Sequence, residues 1–277
     1  VEELFLKHFR GEALSGLSDS ALLPADSLPA ATLRDAMLPA NMRGGADAPG
    51  VPGGSGEAQN GKTSAGSRIA FTTDSHVVTP RFFPGGDIGK LAVCGTVNDL
   101  AVSAAVPAYL SAGFIIEEGF PVEELERIVE SMAREAESCG VEIATGDTKV
   151  VERGSCDGLF INTAGIGIVP EARSGIASAE ALEPGDRILI NGYIGDHGLA
   201  VTAARNSFEL STPLESDCAA LNGLIEELLG SGTGDAVRFM RDPTRGGLAT
   251  VLCELAETAG AGIEIEETAV PVREEVN

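Results

Sequence analysis

The chain of 277 residues contains no tryptophan, and aromatic side chains make up only 4% of it. A core therefore has to be built from Ala, Val, Leu and Ile, for which a 43% hydrophobic content is enough. Basic charge is also scarce: 19 Lys and Arg stand against 42 Asp and Glu, a formal net charge of -23. Such a surface repels phosphate backbones and excludes a broad nucleic-acid face. Solubility alone accounts for the charge, but any anionic ligand must meet locally placed cations, backbone N–H groups or a metal. The five cysteines (Cys94, Cys139, Cys156, Cys218 and Cys253) contain no C-x-x-C pair. Neither zinc nor a disulfide framework is indicated, and reduced buried thiols in a cytoplasmic protein are expected. Three widely separated histidines weaken a zinc-hydrolase reading. No apolar run reaches the ~20 residues of a membrane span, and no signal-peptide pattern is seen, so no membrane partner is expected.

The length suits one large domain or two ordinary ones. Residues 1–40 read as an amphipathic helix (Val1 to His8) followed by loop. Residues 41–67 are Gly, Pro, Ser, Ala and Asn with little to bury, and read as a flexible surface insertion. Ile69 to Thr73 reads as a strand with Asp74 at its end. Pro84-Gly85-Gly86 turns the chain, and Asp87 is placed to cap a helix through Lys90, Val93, Val97 and Leu100. Tyr109 to Ile116 reads as a strand. Pro121 opens the clearest helix, with Glu123 and Glu124 at its positive end, an apolar stripe from Val122 to Ala136, and Gly140 as its stop. Val141 to Ala144 reads as a strand delivering Gly146-Asp147 into a loop, and Leu159 to Val169 as a long buried strand. Past a boundary near 170–184, strands are expected at Asp186–Asn191 and around Ile263 and Ile265, and helices over Asp217–Leu229 and from Gly246-Gly247 to Leu255. Alternating strands and helices make the fold α/β or α+β.

Aspartates beside glycines recur along this order. Carboxylates are hard oxygen ligands suited to magnesium, and glycines let backbone N–H groups approach phosphate. Asp74 is a turn residue or a metal ligand. Asp87 is a helix cap or a metal ligand. Asp99 lies on an otherwise apolar helix, where a lone carboxylate is costly unless paired. Asp87 and Asp99 are ~18 Å apart along one continuous helix, so one ion cannot take both. Gly146-Asp147-Thr148-Lys149 gathers carboxylate, hydroxyl and ammonium, and Lys149 suits phosphate binding or proton transfer. Gly195-Asp196-His197-Gly198 is a helix entry or a site. Asp242 and Arg245 form a structural ion pair, or their helix start binds phosphate. No G-x-x-x-x-G-K-S/T loop is present, and no G-x-G-x-x-G follows a strand, so ATP is not bound as in a P-loop kinase or a dinucleotide fold.

Longer words of the sequence carry a resemblance. They include Thr73-Asp74-Ser75-His76-Val77-Val78, Phe82 to Ala92, Gly95 to Ser103, Gly113 to Gly119, Gly146 to Val151, Ile161 to Gly165, Gly195 to Gly198 and Arg241 to Gly247. From about Arg68 onward the chain resembles the HypE family of hydrogenase maturation proteins, in the superfamily of aminoimidazole-ribonucleotide synthetase, selenophosphate synthetase and thiamine-monophosphate kinase. The resemblance implies a two-domain fold: an ATP-binding and dimerisation domain over 1–170, whose sheet pairs with a second copy into a barrel, and an α/β domain over 171–277. It implies ATP and Mg2+, a homodimer, a HypF-like carbamoyltransferase and a HypC–HypD-like iron scaffold. The implied reaction is ATP-driven dehydration of a C-terminal cysteine S-carboxamide to S-cyanate, the source of cyanide in nickel–iron hydrogenase. By motif, Asp74, Asp87, Asp99 and Asp242 resemble metal carboxylates. Asp74, Lys90, Asn98, Asp99, Thr148, Asp242, Thr244, Arg245 and Gly246 resemble the ATP site, and Lys149 and Asp147 the catalytic groups.

The family's C-terminal cysteine tail, a second-domain Asn-Glu-Gly-Lys stretch and a glycine-rich N-terminal segment have no counterpart here. The C-terminal domain is accordingly expected to be incomplete. The competing reading is a non-catalytic nucleotide-binding scaffold. A sister enzyme making a phosphorylated small molecule fits the wording less well.

Overall fold

The computed structural model describes residues 21–24, 67–208, 212–244 and 246–276. The expected helix at Val1–His8 and all but Ser67 of the insertion expected at 41–67 lie outside the described residues. Within the stretch expected to be loop, Ala21–Pro24 instead forms strand β1, because β2 (Arg68–His76) offers it an antiparallel edge. Two short strands follow, β3 (Phe82–Phe83) and β4 (Gly86–Asp87), then helix α1 (Ile88–Val102). Next come β5 (Val106–Glu117), α2 (Val122–Cys139), β6 (Glu142–Val151) and β7 (Leu159–Val169). The main sheet runs β1-β2-β7-β5-β6, antiparallel throughout except for the β5–β6 pair. That parallel pair is joined by α2, as parallel neighbours require a crossover.

Helix α1 starts where Asp87 stops the extended chain, its Oδ1 accepting from the Gly89 and Lys90 N–H groups. Its small residues let it lie close to its neighbours. A Cβ on Gly89 would run into the Ile128 carbonyl of α2, and one on Gly95 would stand 3.0 Å from the His76 ring. Helix α2 follows its amphipathic pattern and ends at Gly140, whose φ of 71° is a left-handed cap. Ile88, Val93, Val97, Leu110, Ile128, Met132, Leu159 and Ile161 meet between the helices and the sheet. The strands alternate. Thr72, Leu110 and Ile161 face the helices, while Phe71 and Ile115 stand 42% exposed on the other face.

Two single-turn helices, Glu171–Arg173 and Ala179–Ala181, follow β7. Asp186–Asn191 and the stretch around Ile263 and Ile265 form no strand. A strand exists only where a neighbour completes its hydrogen-bond ladder, and alternation by itself supplies none. Leu189 consequently stands 91% exposed. Helix α3 spans Asp196–Asn206, α4 Asn222–Gly230 and α5 Gly247–Ala259. The helix expected from Asp217 thus begins only at Asn222, since Asp217 to Leu221 is held against α1. No helix among the described residues is long and apolar enough to cross a membrane.

Candidate active site

The seam between β2 and α1 gathers the first candidates. Thr72, Asp74 and His76 lie on the helix-facing side of β2. Thr72 Oγ1 donates to Asp99 Oδ2 at 2.9 Å. Asp74 Oδ1 accepts from the Ser75 N–H at 2.9 Å, and Oδ2 lies 3.5 Å from His76 Nε2. Gly95, one turn before Asp99, gives Asp74 room: a Cβ there would stand 3.2 Å from Oδ2. Asp74 lies inside the strand rather than at its end.

Behind these carboxylates runs a buried hydroxyl chain that sequence reasoning missed. Thr163 Oγ1 is 2.5 Å from Thr96 Oγ1 and 3.3 Å from His76 Nε2, and it donates to the Ala92 carbonyl at 3.3 Å. Burial holds the His76 imidazole below its ordinary pKa, against the pull of Asp74. The signal was available: Thr96, Thr163 and His76 are polar residues at core-facing positions of an apolar helix and two strands, where burial demands a partner.

The N-terminus of α1 holds a second group. The Asp87 carboxylate accepts the cap on Oδ1 and the Ser131 hydroxyl at 2.6 Å on Oδ2. The capping reading therefore describes it. Lys90 Nζ donates to the Gly85 carbonyl at 3.2 Å. Asn98 clamps a distant backbone, donating to the Ala219 carbonyl at 3.0 Å and accepting from the Leu221 N–H at 2.8 Å.

Gly146-Asp147-Thr148-Lys149 is not a strand-end loop. All four residues lie in β6, exposed, at the sheet edge. The strand continues because β5 supplies a partner through Val151, and Gly146 is needed where a Cβ would strike the Ala112 backbone. Register places Asp147 beside Gly113 and Lys149 beside Ile115, on the open face, whereas Asp74 and Asp99 lie at the helix-covered face. Three strand spacings, ~14 Å, separate β6 from β2. One chain therefore does not bring Lys149 and Asp74 together. On the open face, Ser75, Asn162, Gly113 and Asp147 form one row across four strands. Asn162 Nδ2 donates to the Asp74 carbonyl and to Ser75 Oγ, both at 2.9 Å.

Farther along, His197 Nδ1 is 2.9 Å from Ser216 Oγ, and the buried Asp196 carboxylate accepts from Arg273 Nε at 2.8 Å. Asp242 accepts from the Thr244 hydroxyl. Arg245 lies outside the described residues, so its pairing with Asp242 does too; Arg241 pairs instead with Glu254 at 3.3 Å. Gly246, at φ 71°, precedes α5. For a nucleotide and magnesium, the chemistry of the seam fits. Asp74 and Asp99 are hard oxygen donors approaching from strand and helix, and Lys90 supplies a cation near the start of the same helix.

Comparison with known proteins bears on this arrangement. Residues 56–169 match the family described as AIR synthase related protein, N-terminal domain, and residues 183–277 match its C-terminal domain. The carbamoyl dehydratase HypE of Rhodobacter capsulatus is 57% identical over 211 residues, 76% of this chain and 61% of that protein. The chain thus spans about three-fifths of this relative's length. A crystal structure of a HypE–HypF complex superposes with a TM-score of 0.77 at 45% identity, covering 99% of this chain and 75% of the other. One of HypE in complex with ATP gives 0.71 at 42% identity, covering 99% and 69%. With α/β architecture, both domain matches and this degree of identity, the chain belongs to the HypE family of AIR synthase related proteins.

Proposed function

We propose that the protein containing this chain acts in hydrogenase maturation, dehydrating a C-terminal cysteine S-carboxamide to S-cyanate with ATP. The observation that carries this reading is the 57% identity over 211 residues to a carbamoyl dehydratase HypE. ATP use is supported by the ATP complex of a relative at 42% identity. A HypF-like carbamoyltransferase partner is supported by the HypE–HypF complex. A HypC–HypD-like acceptor for the nitrile follows from the family resemblance alone.

In this reading residues 1–170 form the nucleotide and dimerisation domain and 171–277 the second domain. Asp74 and Asp99 hold magnesium from the β2–α1 seam, with Asp242 contributing and Asp87 acting mainly through the helix it caps. Magnesium offsets charge on the transferred phosphoryl. Lys90 and Thr148 serve the phosphates, as do Thr244, Arg245 and Gly246 at the start of α5. Asn98 shapes the site by holding residues 219–221. Amide oxygen is a poor leaving group, and phosphorylation makes it a good one. Lys149 and Asp147 then manage the amide protons. Lys149 and Asp74 lie on opposite faces of one sheet, so in this reading the homodimer brings Lys149 of one copy to the seam of the other. The exposed Phe71 and Ile115 on the open face support such packing.

The test is turnover. The full-length protein, carrying a carbamoylated C-terminal cysteine, should hydrolyse Mg-ATP and lose one water in mass. Mg-ATP binding without carboxamide-dependent hydrolysis would instead favour the non-catalytic scaffold.

A further inference from the structure

His76 closes β2 with a side chain that is 5% exposed, against an Asp74 side chain that is 41% exposed. A buried imidazole needs partners for its polar atoms, because an unpaired one is costly. Two oxygens face its Nε2: Thr163 Oγ1 at 3.3 Å and Asp74 Oδ2 at 3.5 Å. Gly95 of α1 leaves the space for both groups. A Cβ there would stand 3.0 Å from the ring carbon Cε1 and 3.2 Å from Asp74 Oδ2.

Counting protons assigns the ring. A neutral imidazole carries one N–H and each threonine one O–H, whereas a carbonyl and a carboxylate only accept. Thr163 Oγ1 gives its proton to the Ala92 carbonyl at 3.3 Å. It then accepts from Thr96 Oγ1, 2.5 Å away, and from His76 Nε2. Nε2 therefore carries the hydrogen, and its positive polarity faces the Asp74 carboxylate. The other tautomer would turn a nitrogen lone pair toward a carboxylate oxygen 3.5 Å away. The partner of one ring nitrogen thus sets the tautomer.

We propose that His76 is a positioning residue for Asp74: its Nε2–H, held in place by the buried Thr163 and Thr96 hydroxyls, fixes the carboxylate in the orientation that binds magnesium. This inference rests on the magnesium role proposed for Asp74. The carboxylate is restrained at both oxygens, since Oδ1 accepts from the Ser75 N–H at 2.9 Å while Oδ2 lies against the ring. His76 approaches from the buried side, and the exposed side of Asp74 faces solvent. The Thr72 hydroxyl holds Asp99 in the same manner, so helix-facing residues of β2 partner both carboxylates. A carboxylate already oriented loses less rotamer freedom when it takes an ion. Removing such a supporting partner typically costs about 10–100-fold in metal affinity.

The experiment uses the full-length protein and requires no dehydration. Nitrogen NMR with isotope-labelled histidine reads the His76 tautomer in the wild type, its signals identified by their loss in His76→Gln. The expected spectrum has a protonated Nε2 and a bare Nδ1; the reverse would overturn the proposal. Magnesium is then titrated calorimetrically into protein saturated with a non-hydrolysable ATP analogue. His76→Phe should weaken magnesium binding about tenfold or more. His76→Gln, whose amide N–H donates from nearly the same place, should recover most of that loss. Equal affinity in wild type and His76→Phe would overturn the positioning role, as would equal losses in Phe and Gln, the mark of packing alone. A wild type that binds the nucleotide analogue but no magnesium would remove the metal role of Asp74, and this inference with it.

Discussion

The hydroxyl of Thr72 on β2 is bonded to the carboxylate of Asp99 on α1 at 2.9 Å, across the seam where strand and helix meet. This bond offsets the cost of a carboxylate on an apolar helix. Asp99→Asn keeps an acceptor for Thr72 and should hold stability within about 0.5 kcal/mol, whereas Asp99→Ala should lose about 1 kcal/mol. Both should weaken Mg-ATP binding at least tenfold. Urea unfolding and calorimetric titration separate the two effects, and unchanged affinity in both variants would remove Asp99 from the metal site.

Asp87 carries a cap and a tertiary bond at once. Asp87→Ala abandons two N–H groups and the Ser131 hydroxyl. It should cost about 1–2 kcal/mol by denaturant unfolding. Asp87→Asn should recover most of that. A metal role beyond the cap would appear as Mg-ATP affinity that Asn fails to restore.

Lys149 is exposed on an edge strand. Lys149→Ala should therefore leave stability within about 0.5 kcal/mol. In the full-length protein it should lower carboxamide-dependent ATP hydrolysis by ~100-fold or more if the lysine moves protons. Single-turnover assays on carbamoylated protein would reveal an unchanged rate, which would return Lys149 to a surface role.

Gly89 faces the backbone of α2. Gly89→Ala places a methyl against the Ile128 carbonyl. Helix propensity would favour the change, but overpacking should dominate and destabilise by about 1–3 kcal/mol. A neutral or stabilising result in thermal unfolding would show that the two helices separate easily.

Arg173 grips Glu226 of α4 in a fork, with contacts of 2.6 and 2.8 Å. That hydrogen-bonded guanidinium lowers the Glu226 pKa from 4.5. A lowered carboxylate stabilises the fold above its unfolded value, and the contribution disappears as pH falls through the folded one. Glu226→Gln should flatten the loss of stability below pH 4.5 to a small degree, because the Glu226 side chain is 54% exposed and solvent screens the pair. Denaturation midpoints from pH 6 to pH 3 would show it; identical slopes would mean that the pair contributes nothing.

Local signals were sufficient for some elements. The apolar stripe of α2, Pro121 before it and Gly140 after it define that helix without reference to anything else. Asp87 announces α1 for the same reason, since a cap acts within three residues. The Gly146-Asp147 pair misled, because glycine and aspartate mark turns only when no neighbouring strand offers a ladder. At 186–191 the error ran the other way: alternation suggested a strand, and no neighbour among the described residues completes it. The amide of Asn98 holds residues 219–221, a partnership 121 residues away that no local pattern records.

The sequence by itself determined the α/β class, the family, the helix caps and the residue types suited to magnesium and phosphate. These depend on periodicity, on side-chain chemistry within a few positions, and on motif words that survive in order. Only the tertiary structure decided which of those residues meet. It joined Asp99 to Thr72, buried His76 against Thr163, tied residues 219–221 to Asn98, and put Lys149 on the face opposite Asp74. Strand order and register fix such pairings. They follow from which edges and faces find partners across the whole chain, a property of the assembled sheet and not of any one segment.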